Sequence, residues 1–335
     1  MGLDDADRPG WSGTARVVRG REVLEERSTG PVDRPDGPQC TPGTRFQAGS
    51  ISKLVLAAAV LALVERGRLS LDRPIGRWLP TTPPAWAGVT LHQLLSHTSG
   101  LGHWSDVPDL GGAVLSAPPS REELVALITR APLLHAPGDG WRYSGPGFLV
   151  AALVVEAATG TPYGDVAAEL VLGPAGMTST TSGTFPVGAP DVAVGHRHGR
   201  PVDVAPGFTR IPGTGDLWTT TSDLVRLNQA LRAGVLLRPE VADRLWTPYA
   251  QVGPAPAADG PVGPVVVEAY GYGTFLGRVA GHRARINPGD NPGYQSLLAH
   301  LPGEDLDLAV LCNEDAPSVD AALARLTSLR EVRRD

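Results

Sequence analysis

At residues 46–53 the chain reads Phe-Gln-Ala-Gly-Ser-Ile-Ser-Lys, and an apolar run from Leu54 to Val64 follows. Lys53 is the only lysine among the 335 residues, so every other Lys/Arg position holds an arginine. Arginine stays protonated in proteins, whereas a buried lysine can lose its proton and act as a base. The survival of one lysine, three residues after Ser50, therefore indicates a chemical need for a deprotonatable amine.

The apolar run predicts a buried helix that ends near Gly67. Ser50 at its N-terminus would lie one turn from Lys53, on the same face and at the positive end of the helix dipole. A serine beside a candidate base is an activated nucleophile. An ordinary N-cap serine followed by a lysine gives the same spacing, so the rest of the chain has to decide between the two interpretations.

Composition narrows the class of protein. A chain of 335 residues exceeds the size of a single hydrophobic core, so we expect two lobes. The net charge of -6, without a basic cluster, argues against a nucleic-acid partner. The acidic start of the chain lacks a signal-peptide pattern, and the 54–64 run is too short to span a membrane. We therefore expect a cytoplasmic protein without a membrane partner, and the oligomeric state stays open.

Cysteine and histidine positions do not indicate a metal or cofactor. Cys40 lies in a Pro-rich loop and Cys312 in an apolar segment, and free thiols are the expected state of both. His196 and His198 share a loop that offers no third ligand at a suitable spacing. We expect neither a metal site nor a cofactor.

Strand patterns occur at both ends of the chain, and helical patterns lie between them. The predicted strands cover residues 15–18, 22–26, 265–272, 274–279, 283–287, 294–300 and 306–313. The predicted helices cover residues 90–100, 120–129, 145–159, 163–172, 222–232, 239–246 and 318–332. This order predicts an α+β protein with a sheet-containing lobe from residues 11–80 and 265–335 and a mainly helical lobe from residues 81–264.

Four stretches in a fixed order carry a resemblance to a known family. They are the Ser-x-x-Lys motif at 49–53, the run LHQLLSHTSGL at 91–101, the segment at 137–144 that ends in Trp-Arg-Tyr-Ser, and residues 287–294. With them the chain resembles the class C β-lactamase-related serine hydrolases, which include penicillin-binding-protein-like D-peptidases, esterases and acyltransferases. The resemblance implies a β-lactamase/transpeptidase-like fold, with an antiparallel sheet flanked by helices, a mainly helical lobe and an active-site cleft between them.

The resemblance also implies a chemistry. Ser50 would attack a carbonyl and form an acyl-enzyme. Lys53 and Tyr143 would handle the serine proton, and either could be the primary base. The backbone N–H groups of Ser50 and Asp290 would form the oxyanion hole. His97, although it looks like a base, falls in a stretch that is structural in the family.

Two departures from the family pattern concern substrate binding. Gly145 replaces the asparagine of the second motif, so no amide is present there to hold a substrate amide. Asn287 stands where the family has a cation or a histidine, and Arg142 and Arg285 are candidates to replace that charge. The predicted substrate-binding residues are Gly145, Asn287, Gly289, Arg142 and Tyr294.

Three functions follow from these matches and departures. The first is a serine hydrolase or acyltransferase that acts on a small ester-like or activated acyl substrate through acyl-Ser50. The second is a β-lactamase, D-amino-acid amidase or peptidase with the same mechanism, which both departures disfavour. The third is a catalytically silent binding protein that keeps the cleft, and retention of the sole lysine argues against it.

Overall fold

A computed structural model describes residues 11–33, 36–108, 110, 119–183, 189–202, 210–253, 265–315 and 318–326. The strands of these residues are, in chain order, β1 (Gly13–Arg19), β2 (Glu22–Thr29), β3 (Phe46–Gln47), β4 (Thr181–Ser182), β5 (His196–Arg197), β6 (Arg200–Pro201), β7 (Leu217–Thr219), β8 (Ala250–Gln251), β9 (Val265–Tyr270), β10 (Phe275–Val279), β11 (His282–Asn291), β12 (Tyr294–Leu301) and β13 (Leu306–Cys312). The helices are α1 (Ser52–Glu65), α2 (Leu91–Leu95), α3 (Arg121–Arg130), α4 (Gly145–Thr159), α5 (Tyr163–Ala167), α6 (Thr221–Arg232), α7 (Pro239–Ala242) and α8 (Ser318–Arg325).

One antiparallel sheet joins the two ends of the chain, in the strand order β2-β1-β13-β12-β11-β10-β9-β8. β1 pairs with β13 over its full length, from Gly13 opposite Cys312 to Arg19 opposite Leu306. The α+β class is therefore confirmed. The C-terminal strands, read from alternating apolar residues, lie within a few residues of their predicted positions.

Helix α1 is the central core element. All its residues from Ser52 to Leu63 are buried, and apolar side chains cover every face. A helix that is apolar all round cannot sit at a surface and must be enclosed by other elements. It packs against α4 and α5. These contacts hold the residues at its N-terminus in place.

Two helix boundaries differ from their predictions. The helix predicted over residues 90–100 ends at Leu95, because His97 and Gly100 take left-handed backbone conformations with φ of 61° and 84°. Ser222 is predicted to cap the helix that ends at Arg232, but the cap is Thr220, whose hydroxyl accepts a hydrogen bond from the Asp223 N–H, and the helix begins at Thr221. The final predicted helix is described from Ser318 to Arg325, and its last residues lie outside the described part.

β11 is longer than predicted, and its second half faces the cleft. β10 pairs with β11 from Phe275 opposite Ile286 to Val279 opposite His282, so the edge of β11 beyond Ile286 is left without a β10 partner. That edge lies against the helical turn Gly49–Ile51. Pro288 is tolerated in the strand because the missing N–H falls where no strand needs a donor.

In the described part of the chain, no helix has the length and apolar character needed to span a membrane. Cys40 and Cys312 are free and buried, as expected.

Candidate active site

Ser50 and Lys53 meet at the start of α1. Ser50 lies in the helical turn Gly49–Ile51, and Lys53 Nζ donates to its Oγ at 2.9 Å. The lysine is only 3% exposed, and its amine also donates to the backbone carbonyl of Thr214 at 3.0 Å. These two bonds hold the amine beside the hydroxyl, as the Ser-x-x-Lys spacing predicted.

Tyr143 joins this pair from the helical lobe. Its ring centroid lies 5.0 Å from Lys53 Nζ. The ring is stacked between Phe275, at 6.0 Å and 10°, and His103, at 5.9 Å and 29°. The structure therefore brings together the three side chains predicted to be catalytic, with aromatic neighbours that restrict the tyrosine ring.

His97 supports Tyr143 rather than facing the cleft. The Ser144 N–H donates to its Nδ1 at 3.1 Å, which leaves the proton on Nε2 to be donated to the Tyr270 hydroxyl at 3.0 Å. Burial, followed by the charges of Lys53 and His103, keeps the pKa of His97 well below its usual value. The ring is thus neutral with both nitrogens occupied, which agrees with a structural role for this motif.

The edge of β11 carries Asp290, the predicted oxyanion-hole partner of Ser50, close to the nucleophile turn. Gly49 has φ of 52°, and a Cβ there would lie 2.6 Å from the Asp290 nitrogen. A Cβ at Gly289 would lie 2.0 Å from the Ala48 carbonyl oxygen. Two glycines therefore let β11 approach the nucleophile turn closely, as an oxyanion hole built from the Ser50 and Asp290 N–H groups requires.

A cleft of about 580 Å³ opens from Ser50 across the end of the sheet. Asp290 places a carboxyl group on one wall of the cleft. Burial, with a smaller contribution from Asp315, raises the pKa of this carboxyl. The residues lining the cleft are Ser50, Tyr143, Val265, Phe275, Pro288, Gly289, Asp290, Gln295, Ser296, Leu297, Val319 and Asp320. Gly289 thus lies at the cleft, as predicted.

Gly145 lies beneath an indole ring that the sequence did not reveal. A Cβ at this position would lie 2.3 Å from Trp104 Nε1 and 2.6 Å from its Cε2. Trp104 is 7% exposed and therefore fixed by packing. The indole consequently fills the space from which an asparagine side chain would extend, and glycine is the residue that fits below it.

Two predicted substrate-binding side chains, Asn287 and Arg142, are engaged elsewhere. The Asn287 amide donates to the Gly273 carbonyl at 2.6 Å and to Thr274 Oγ1 at 3.1 Å. Arg142 makes a two-pronged ion pair with Asp106, at 2.7 and 2.8 Å. These bonds commit both side chains within the protein, and neither is among the residues lining the cleft at Ser50, which argues against their predicted role in substrate binding.

Tyr294 and Arg285 also need correction. Tyr294 is 1% exposed, and its hydroxyl donates to the Ala193 carbonyl at 2.7 Å, so the ring belongs to the core. The Arg285 guanidinium stacks 3.5 Å from the centroid of the Trp246 ring, and burial lowers its pKa to about 10. It does not replace the missing cation of the third motif.

Sequence reasoning missed Trp104, the Thr214 carbonyl and the contact of His103 with Tyr143. Gly145 was the available signal, because a lost side chain in a motif implies that another group occupies its space. Thr214 is separated from Lys53 by 161 positions, and a backbone carbonyl leaves no mark in the sequence.

Comparison with known proteins places this geometry in a family. The family model described as Beta-lactamase matches residues 2–330. Esterase EstB of Burkholderia gladioli is 35% identical over 282 residues, which span 71% of this chain and 70% of that protein.

Solved structures of related proteins support the same family assignment. The penicillin binding protein from Bacillus halodurans has a TM-score of 0.77 at 26% identity, and the match covers 94% of this chain and 96% of that one. The D-amino acid amidase from Ochrobactrum anthropi SV3 has a TM-score of 0.75 at 25% identity, with 99% and 97% covered. This chain belongs to the β-lactamase family, a serine hydrolase superfamily of esterases, penicillin-binding-protein-like proteins and D-amino-acid amidases.

Proposed function

We propose that this protein is a serine hydrolase that acts on a small ester-like or activated acyl substrate through an acyl-Ser50 intermediate. The observation that carries the proposal is the 2.9 Å contact between Ser50 Oγ and Lys53 Nζ, at a cleft that Tyr143 also lines. The esterase among the relatives, at 35% identity, supports the same substrate class.

In the first step Ser50 Oγ bonds to the substrate carbonyl carbon, and its proton passes to whichever of Lys53 and Tyr143 is deprotonated. The carbonyl oxygen becomes an oxyanion, to which the Ser50 and Asp290 N–H groups donate. The bond from carbon to the leaving oxygen then breaks, and the same proton neutralises the leaving alcohol. Water, or another nucleophile in a transfer reaction, repeats these steps on the acyl-enzyme and frees Ser50.

The neighbourhood of Gly145 supports esters over amides. An amide substrate carries an N–H that needs an acceptor, and an asparagine carbonyl at this position could supply one. Gly145 has no side chain, and the indole above it can donate but cannot accept a hydrogen bond. An ester has no N–H to satisfy, so the loss of the acceptor costs it nothing.

The charges around the cleft support substrates that lack a carboxylate. Asp290 and Asp320 line it, and the described lining residues include no lysine or arginine. The nearby Lys53 amine is committed to Ser50 and Thr214. A β-lactam or peptide carboxylate would meet like charge there. Val265, Phe275 and Leu297 instead favour an apolar group on the substrate.

A matched pair of substrates tests the proposal. The ester p-nitrophenyl butyrate and its p-nitroanilide share the acyl group, and each rate is divided by the rate of hydroxide-catalysed hydrolysis. We expect the corrected kcat/KM to favour the ester by about a hundredfold, since an unsatisfied polar group at the site costs that order of free energy. Ser50→Ala should abolish both reactions.

Equal corrected rates would favour an amidase, the activity named for one of the structural relatives. Folded protein without turnover of either substrate would favour the catalytically silent binding protein.

A further inference from the structure

Asp216 is a buried carboxylate that takes no part in the steps above. It is 1% exposed. Burial raises the pKa of Asp216 to about 6, and the hydrogen bonds from Ser182 and Gly213 offset this only in part. An ionised carboxylate in the core lowers stability at neutral pH. Such a group, two residues from the carbonyl that accepts from Lys53, is a candidate for a functional role.

Its contacts lie on the turn that holds the catalytic amine. The Gly213 N–H donates to Asp216 Oδ1 at 2.9 Å, and the Ser182 hydroxyl donates to Oδ2. Between Gly213 and Asp216 lies Thr214, whose carbonyl accepts from Lys53 Nζ at 3.0 Å. The carboxylate therefore fixes the peptide unit that carries the lysine's acceptor.

The other side of this turn is tied to the nucleophile region. Asn291 Nδ2, on β11, donates to the Gly215 carbonyl at 2.9 Å. The Leu217 N–H donates to Ser52 Oγ at 3.2 Å, and that hydroxyl donates to the Gly49 carbonyl at 2.8 Å. The turn thus has a defined position relative to both β11 and α1, and Asp216 completes it.

We propose that Asp216 is a positioning residue for Lys53, whose carboxylate orients the Thr214 carbonyl so that the amine stays beside Ser50 Oγ. This inference rests on the proposed function, because it matters only if Lys53 moves the serine proton. When Asp216 gains a proton, its hydrogen bonds are no longer charge-assisted and become weaker. Turnover therefore falls on the acid side.

The titratable groups that face Asp216 are few in the described part of the chain. Tyr163, on α5, is fully buried, and the nearby charge of Asp216 adds to burial in raising the pKa of its hydroxyl. Lys53 lies across the Thr214 carbonyl. Tyr163 is neutral through the range in which Asp216 titrates, so of these two groups it is Asp216 that changes charge near pH 6.

Asp216→Asn keeps the shape and removes the charge. We expect kcat at pH 8 to fall about tenfold, as for a small displacement of a catalytic group, with KM within twofold of wild type. The acid limb near pH 6 should disappear from the kcat profile. The melting temperature at pH 8 should not fall, because a buried charge has been removed.

Asp223→Asn is the matched control. Asp223 is also fully buried, and it accepts from the Ser179 N–H and Thr180 Oγ1 at 2.8 Å each, on α6 and away from Lys53. We expect it to lower the melting temperature and leave kcat and the pH profile unchanged. An equal loss of kcat in both variants would overturn the proposal in favour of general destabilisation.

Ser182→Ala keeps the test decisive if Asp216→Asn does not fold. The Ser182 hydrogen bond lowers the pKa of Asp216, so its loss should move the acid limb to higher pH. An acid limb that belongs to Lys53 or Tyr143 would stay in place, and would overturn the proposal. Full activity in Asp216→Asn with active wild type refutes this inference alone. Wild type without turnover or a Ser50 adduct refutes it together with the proposed function.

Discussion

Lys53 has its amine 2.9 Å from Ser50 Oγ and 3.0 Å from the Thr214 carbonyl. Both distances require a side chain of the length of lysine at this position of α1. The sequence located this residue because every other basic side chain had become arginine. It could not locate Thr214, Asp216 or Trp104, which reach the site only through the fold.

Lys53→Arg tests whether the amine acts as a base. Arginine keeps the charge but stays protonated, so we expect kcat/KM for an ester to fall about a thousandfold, the scale of lost general-base catalysis. The control is Arg68→Lys, which changes a guanidinium that donates to the Ala158 carbonyl far from the cleft. Full activity in Lys53→Arg would rule out the proposed proton path.

Gly145→Asn alone should not improve turnover of amides, whereas Gly145→Asn combined with Trp104→Leu should improve it. Its Cβ would lie 2.3 Å from Trp104 Nε1, and overpacking of this kind costs about 1–3 kcal/mol. With Trp104→Leu the asparagine gains space, and we expect the amide-to-ester ratio of kcat/KM to rise about tenfold over wild type. An unchanged ratio in the double variant would contradict our account of this departure.

At the scale of elements, local patterns sufficed for α1 and for the C-terminal strands, because apolar periodicity reports burial directly. They failed where backbone geometry overrides periodicity. The helix predicted over 90–100 stops at Leu95, since His97 adopts a left-handed conformation stabilised by its bonds to Ser144 and Tyr270. Hydrogen bonds between residues so far apart in the sequence cannot be predicted from a local pattern.

The close approach of β11 to the nucleophile turn is the element-scale feature on which the oxyanion hole depends. Gly289→Ala would place a Cβ 2.0 Å from the Ala48 carbonyl oxygen and 2.2 Å from Ser296 Oγ. We expect kcat to fall about a hundredfold, comparable with the loss of one oxyanion donor. Gly303→Ala, in an open turn without atoms within 4 Å, should leave kcat unchanged. A fully active Gly289→Ala variant would show that this edge does not stabilise the transition state.

At the scale of the molecule, four short motifs predicted the family of the whole chain. The family model confirms this prediction over residues 2–330. The fold followed from this resemblance. The environment of Gly145, Asn287 and Arg142 did not, because each contacts a residue from another part of the chain, namely Trp104, Gly273 and Asp106. The motifs predicted where the site is, and only the structure gives its hydrogen-bonding capacity.

The stability of the whole protein should depend on pH through the titration of Asp216. Its pKa is about 6 in the folded protein against 3.8 for a free side chain, so the folded state binds the proton more tightly. The folded state is therefore favoured at low pH, and this contribution is lost as pH rises from about 4 to 6. This difference in pKa corresponds to at most about 3 kcal/mol of unfolding free energy.

Denaturant unfolding of wild type and Asp216→Asn at several pH values measures this contribution as a difference. We expect wild type to lose stability relative to the variant between pH 4 and 6, and the difference to be constant above pH 7. A difference that is flat across the whole range would contradict the assignment of a raised pKa to this carboxyl.

The central claim is that Ser50 is a nucleophile activated by Lys53. Intact-protein mass after incubation with a fluorophosphonate tests it most directly, with wild type, Ser50→Ala and Lys53→Arg side by side. We expect one adduct in wild type, none in Ser50→Ala, and slow labelling in Lys53→Arg. Equal labelling of wild type and Ser50→Ala, or no labelling of folded wild type, would contradict the claim.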